Sequence, residues 1–281
     1  MPPPEFINDY SGPTTSHGII MRHIINFLIT KGISLNKFAV NLGADDGITS
    51  DPTYALFSAF GFRGVAFEPN KTSFATLIGN LPSSSVIKIN DYITPENVLI
   101  NFDDLKIPID SDVIKVDIDG YDYFVAKEML KKYKPKILCI EAQPIFPSKL
   151  NFTMNYYKEY AGWDSSMCVG ASLELITKMT KIKGYELIYL DWYDAYYVKK
   201  DLFNLFEMSD NSVENIWING WFNRPRDGFG PKFAFFNGLR FLKPQAQLDF
   251  INNNDNFKGK KYTLFHDDIK HDSRIEKRFR N

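Results

Sequence analysis

Short apolar runs rich in β-branched residues recur along the first two thirds of the chain, several of them closing on a glycine or an acid before a segment with helical spacing. FAVNLG (Phe38 to Gly43) ends in glycine, the helix-like TYALFSAFG follows, and RGVAFE (Arg63 to Glu68) ends in a carboxylate. That is one strand, helix, strand unit. A helix near Lys71 to Asn80 leads to SVIKIN (Ser85 to Asn90), then to a connection with a short helix from Pro95, then to DVIKVD (Asp112 to Asp117). Helical YFVAKEMLKKY and the strand KILCIEA (Lys136 to Ala142) come next, with Pro135 marking the break between them. Alternation of this kind predicts a doubly wound α/β sheet of parallel strands, five of them before residue 143.

From Gln143 to Gly170 the pattern fades, with Pro144, Pro147 and Gly162 and no sustained period, as in a long functional connection beside a scaffold. Helical ASLELITKMTKIKG follows, with Gly184 suited to its C-terminal cap. YELIYLD and AYYVKK then supply two more strands, which the short turn at Trp192 to Asp194 joins as an antiparallel hairpin. Seven strands result, mostly parallel, with an antiparallel edge. The flanks differ: residues 1–14 read as an arm rich in proline and polar residues, leading to a helix near His17 to Lys31. Residues 15–202 form the α/β domain. Residues 203–281, aromatic, asparagine-rich and finally charged, form a partly helical C-terminal extension.

Composition narrows the function classes. Of 281 residues 44% are hydrophobic, ordinary for a soluble globular chain with a sizeable core, and 33 basic side chains against 34 acidic ones leave no field that would gather nucleic acid. No nucleic-acid partner is expected. The most apolar N-terminal stretch, GIIMRHIINFLIT, is interrupted by Arg22 and His23 and is too short for a membrane span. Two cysteines, Cys139 and Cys168, the first inside an apolar run, read as reduced thiols in a cytoplasmic setting.

In such sheets ligands sit at the carboxyl ends of the strands, near the point where strand order reverses. After the first strand comes NLGADDG, in which Gly43 and Gly47 flank Ala44, Asp45 and Asp46. Small residues there let the backbone approach a ligand. Neither GxGxxG nor GxxxxGK[ST] is present, and two loop acids would repel a pyrophosphate. The electrostatics favour a ligand with positive or neutral polar groups, such as the sulfonium and amino group of S-adenosylmethionine. Glu68, closing the second strand, is placed to accept the hydroxyls of an adenosine ribose. The plainer alternative is a tight turn beside a solvated strand end.

The chain resembles the FkbM type of S-adenosylmethionine-dependent methyltransferase. The matching segments, in the family's order over about residues 15–202, are SHG at Ser16 to Gly18, NLGADDG, RGVAFEPN, ITPENV at Ile93 to Val98, KVDIDGYDY, CIEAQ and GASLELITKMTKIKGYEL. The resemblance implies a Rossmann-like class I methyltransferase fold and methyl transfer, usually to an oxygen of a glycan or small molecule. The family loop commonly has Asn where Asp45 stands, and an Asn near Gln143.

VIKVDIDGYDYF drives an apolar strand into Asp117, Asp119 and Asp122 around one glycine. On the methyltransferase reading, Gly43, Asp45, Gly47, Glu68 and Asp117 surround the cofactor. Asp119 and Glu141 then stand at the reacting end, either accepting the acceptor hydroxyl's proton or holding a Mg²⁺ that acidifies it. The resemblance adds His17 as a minor catalytic candidate; a lone histidine is otherwise a cap or surface group. Asp122 suits a helix N-terminal acid. A calcium loop fails, because its sixth position would be Asp122 rather than glycine. Tyr121 after the glycine, and the late position of a motif that usually opens its domain, count against a haloacid-dehalogenase-like phosphatase. A metal-dependent glycosyltransferase using Asp117-x-Asp119 remains as the alternative enzyme, and a non-catalytic scaffold as the alternative class. Trp163 and Asp164 are placed to orient a sugar ring or simply to pack. His266 and His271 read as solvated tail residues.

Overall fold

The structure, a computed structural model, describes residues 17–82, 84–160, 162–224 and 235–269; the N-terminal arm expected at 1–14 lies outside them. In chain order the principal elements are α1 (His17–Thr30), β1 (Phe38–Leu42), α2 (Tyr54–Ser58), β2 (Arg63–Phe67), α3 (Lys71–Asn80), β3 (Val86–Ile89), α4 (Val98–Asp104) and β4 (Val113–Val116). They continue with α5 (Asp122–Met129), β5 (Ile137–Glu141), β6 (Leu150–Met154), α6 (Leu173–Ile182), β7 (Tyr185–Asp191), β8 (Asp194–Lys199) and β9 (Tyr262–His266).

Seven strands form one sheet in the order β3-β2-β1-β4-β5-β8-β7, the Rossmann-like arrangement expected, with β7 and β8 as the antiparallel edge pair. β1 lies parallel to β2 and β4, and β2 parallel to β3. Chain order therefore reverses between β1 and β4, which makes their carboxyl ends the switch point.

The chain divides into two compact units. The first comprises 1–118, 128–139 and 198–209; the second comprises 119–127, 140–197 and 210–281. In the first, β4 reads VIKV with all four residues buried, as strands covered on both faces require. α1 buries Ile20, Met21, Ile24, Ile25 and Leu28, one stripe at helical spacing. Its interruption by Arg22 and His23 thus marks the polar flank of an amphipathic helix, and no described helix is long and apolar enough to cross a membrane. Asn70 caps α3 by accepting from the N–H groups of Thr72 and Ser73.

The second unit departs from expectation. Gln143 to Gly170, read as irregular, contains β6, and the supposedly decaying tail contains β9. The two pair antiparallel as a separate two-stranded sheet, Leu150 opposite His266 and Met154 opposite Tyr262. All five β6 residues are buried, the polar Asn151 and Thr153 together with the apolar Leu150, Phe152 and Met154 that alternate with them. α6 follows, its N-terminus capped by the Ser172 hydroxyl on the Leu175 N–H.

Candidate functional site

In the first unit the loop after β1 folds back over the end of β2. The N–H groups of Gly43 and Ala44 both donate to the Phe67 carbonyl, at 3.0 and 2.9 Å. Gly43 has φ +77° and Gly47 φ +76°, a region costly for side-chained residues. A Cβ on Gly43 would stand 1.6 Å from the Asp117 carbonyl oxygen, and one on Gly47 2.5 Å from Leu77 Cδ1. Close backbone packing requires glycine at Gly43, whereas at Gly47 the positive φ favours it and the Leu77 side chain would have to give way.

Glu68 closes this bend from the neighbouring strand. Its Oε2 accepts from the Asp45 N–H at 2.8 Å and its Oε1 from the Asn70 N–H at 2.7 Å. Burial pushes its pKa above the ordinary glutamate value, against the lowering effect of those two donors. The carboxylate is thereby fixed in orientation and poorly hydrated, with lone pairs left for further donors. Asp46 is taken up by the turn itself, accepting from the N–H groups of Ile48 and Thr49 and from the Thr49 hydroxyl. The Asp45 side chain is exposed.

Sequence reasoning passed over Lys115. Its ammonium is buried inside β4, 2.7 Å from the Gly43 carbonyl oxygen and 2.9 Å from Asp117 Oδ2. A charged residue in the middle of VIKV was the available signal, since lysine is almost never fully buried unless paired. Asn41, two residues before Gly43, was missed as well; it donates to Asp51 and Thr53 in a fully buried network.

In the second unit a cavity of about 200 Å³ is lined by Asp119, Glu141, Gln143, Trp163, Met167 and Tyr193, among others. Carboxylate oxygens of Asp119 and Glu141 come within 4.8 Å of each other. Asp119 is held at φ +55°, and its carbonyl accepts from the Tyr160 hydroxyl at 2.8 Å. The Tyr160 ring lies so close over Gly120 that a Cβ there would meet Cε1 at 2.5 Å. Asp122 is fully buried and accepts from the Gly120 N–H at 3.0 Å, so its carboxylate serves the turn into α5.

Trp163 stands half exposed on the rim, its indole N–H donating to the Ser166 carbonyl at 2.8 Å. Next to it the Asp164 carboxylate pairs with Lys260, which holds its pKa down at about 2. Burial pushes the Cys168 thiol up to about 12, leaving too little thiolate for a nucleophile.

The expected cofactor residues Gly43, Asp45, Gly47, Glu68 and Asp117 thus fall in one unit, at the ends of β1, β2 and β4. Asp119 and Glu141 share the cavity of the other. His17 opens α1, and its side chain lies outside the described residues, as does His271. His266 corrects the reading of it as solvated. It is 3% exposed in β9, its Nδ1 accepting from the Asp268 N–H at 3.1 Å.

No family model matches the chain, and no curated protein matches it in sequence. Among solved structures it is similar to the N-terminal domain of EvdMO1, crystallised with SAH and D-fucose, at 11% identity over 67% of this chain and 84% of that one, with TM-score 0.40. It is also similar to a TehB-like SAM-dependent methyltransferase from Corynebacterium glutamicum at 10% identity, over 68% and 90% of the two chains, with TM-score 0.35. The fibrillarin pre-rRNA processing protein of Methanococcus jannaschii is 12% identical over 63% and 74%, with TM-score 0.37.

Proposed function

We propose that the chain is an S-adenosylmethionine-dependent O-methyltransferase of the FkbM type, acting on a sugar, glycan or other hydroxylated acceptor. The observation that carries this reading is the 2.8 Å hydrogen bond from the Asp45 N–H to Glu68. It brings the glycine bend and the strand-end carboxylate into one cradle beside the β1/β4 switch point. A neutral or cationic nucleoside suits that cradle, because Glu68 and Asp117 offer acceptors and a phosphate would meet like charge. Gly43 and Gly47 would line the adenosyl group, and Glu68 would take its ribose hydroxyls.

When bound, the cofactor supplies a methyl group activated by its sulfonium. At the acceptor, Asp119 or Glu141 takes the one proton its hydroxyl must lose. Trp163 and Tyr193 give the acceptor apolar walls. A glycosyltransferase built on Asp117-x-Asp119 is less favoured, since Asp117 already carries an ammonium partner at 2.9 Å that competes with a cation.

Calorimetry with S-adenosylmethionine tests the reading. Binding is expected well below about 1 mM, and Glu68→Ala should weaken it on the order of ten-fold or more, the worth of charge-assisted hydrogen bonds. Asp119→Ala should leave cofactor affinity intact and depress turnover. No heat at that concentration overturns the proposal. Turnover lost in EDTA and restored by Mg²⁺ would reassign Asp119 and Glu141 from proton acceptance to cation binding.

A further inference from the structure

Among the polar side chains lining the second-unit cavity, Gln143 holds a buried acceptor that its surroundings leave open. Gln143 is 5% exposed, and its Oε1 is buried with no hydrogen-bond partner among the described residues, while its side chain lines the cavity with Asp119 and Glu141. A buried amide oxygen without a donor has lost its hydration with nothing to replace it. Native structures seldom keep one unless something outside the chain completes it.

The position of the atom is imposed by the backbone. The Gln143 N–H donates to the Ala171 carbonyl at 2.8 Å, and the residue bridges in parallel to Ser172. The preceding Ala142 N–H donates to the Tyr193 carbonyl at 2.7 Å. Gln143 also stands two residues beyond Glu141, the spacing that puts extended residues on one face, and both line the cavity. A ligand oxygen that meets Glu141 therefore has its next substituent near Gln143.

Chemistry and size narrow the ligand. Ionised carboxylates only accept hydrogen bonds, so Asp119, Glu141 and Gln143 Oε1 together call for a molecule with several O–H or N–H donors. The volume of about 200 Å³ is below the roughly 300–1,000 Å³ of sites for drug-sized ligands, which leaves room for one ring. Trp163, Met167, Val169 and Tyr193 supply the apolar remainder.

We propose that Gln143 recognises the acceptor by accepting a hydrogen bond from a second hydroxyl adjacent to the one that is methylated, so that the acceptor group is a single-ring vicinal diol. This rests on the methyltransferase reading for the reaction, though not for the binding of the diol.

The test compares trans-1,2-cyclohexanediol with cyclohexanol, and catechol with phenol, as probes of the full chain. Binding is read by saturation-transfer NMR and methylation by transfer of tritium from S-adenosylmethionine. At least one diol should be preferred over its monohydroxy counterpart on the order of ten-fold, the worth of one buried hydrogen bond. Gln143→Met, close in shape, should bring that ratio to about unity. Gln143→Glu, which keeps an oxygen acceptor, should retain it. Melting temperatures of both variants report folding, and the Glu variant decides the matter if the Met variant fails to fold.

The proposal is overturned if neither diol binds, if the unaltered chain shows no preference, or if the preference survives Gln143→Met. Calorimetry on the same samples separates the two readings. Cofactor binding without diol preference sinks the role of Gln143 alone, whereas diol preference without cofactor binding keeps that role and sinks methyl transfer.

Discussion

At the scale of single residues, Lys115 shows how one buried charge organises a loop. Its side chain is 3% exposed against 31% for Asp117, so the ammonium is held in place mainly by its two oxygen partners. Replacing it with methionine preserves the apolar stem and removes the charge. Gly43 then loses a donor to its carbonyl, and Asp117 loses its counter-ion. Breaking a fully buried pair costs about 3–5 kcal/mol, but Asp117 retains access to water, so about 1–3 kcal/mol is expected for Lys115→Met. Urea unfolding should show a lower midpoint with an unchanged slope. A loss under about 0.5 kcal/mol would mean that the Gly43 bend holds its shape without the ammonium.

At the scale of elements, β6 and β9 make the second unit depend on residues more than a hundred positions apart. Phe152, fully buried in β6, stacks on Phe146 with centroids 4.3 Å apart and meets Phe257 and Tyr262 edge-on or tilted at 5.7 Å. Lys178 of α6 ties the same strands, donating to Asn151 Oδ1 at 3.0 Å and to the Asp267 carboxylate at 2.5 and 2.6 Å. Phe152→Ala should therefore cost about 3–5 kcal/mol, as deletion of a buried aromatic ring does. Chemical denaturation measures it. A cost near that of an exposed substitution would show the pair of strands to be peripheral.

The same elements explain what could be read in advance. The sheet strands were legible because the chain writes them as short, mostly apolar runs between helical segments, β1, β2, β4 and β5 being almost wholly buried. β6 was not: LNFTM alternates over only five positions, close behind Pro144 and Pro147, and its pairing partner β9 lies more than a hundred positions away. In the fold Asn151 is answered by Lys178 and Asp267, and Thr153 by the Met154 carbonyl. Glu68 and the glycine bend were legible because sheet topology alone brings strand ends together. Lys115, Tyr160 and the Gln143 oxygen were not. Their meaning lies in what stands opposite them, and no local pattern encodes that.

At the scale of the whole molecule, proton and cofactor compete through Glu68. A ligand that binds only the folded state stabilises it by about 2.7 kcal/mol at a hundred-fold excess over its dissociation constant, worth roughly 5 °C or more in a chain of this size. On the proposed reading the full gain requires ionised Glu68, whose pKa lies above the ordinary 4.5 because the carboxylate is poorly hydrated. The signs of the two effects differ. Without cofactor, a raised folded-state pKa means that the folded chain binds the proton more tightly than the unfolded one. This residue's contribution to stability therefore improves as pH falls through the folded value. With cofactor, the same protonation removes the acceptor of the ribose hydroxyls, and affinity declines. Melting curves with and without S-adenosylmethionine should converge on acidification with a midpoint above 4.5. Glu68→Gln should remove that pH dependence and leave a smaller, flat gain, while melting no lower than the unaltered protein at neutral pH. Convergence at or below 4.5, or an unchanged profile in Glu68→Gln, would move the nucleoside contact away from Glu68.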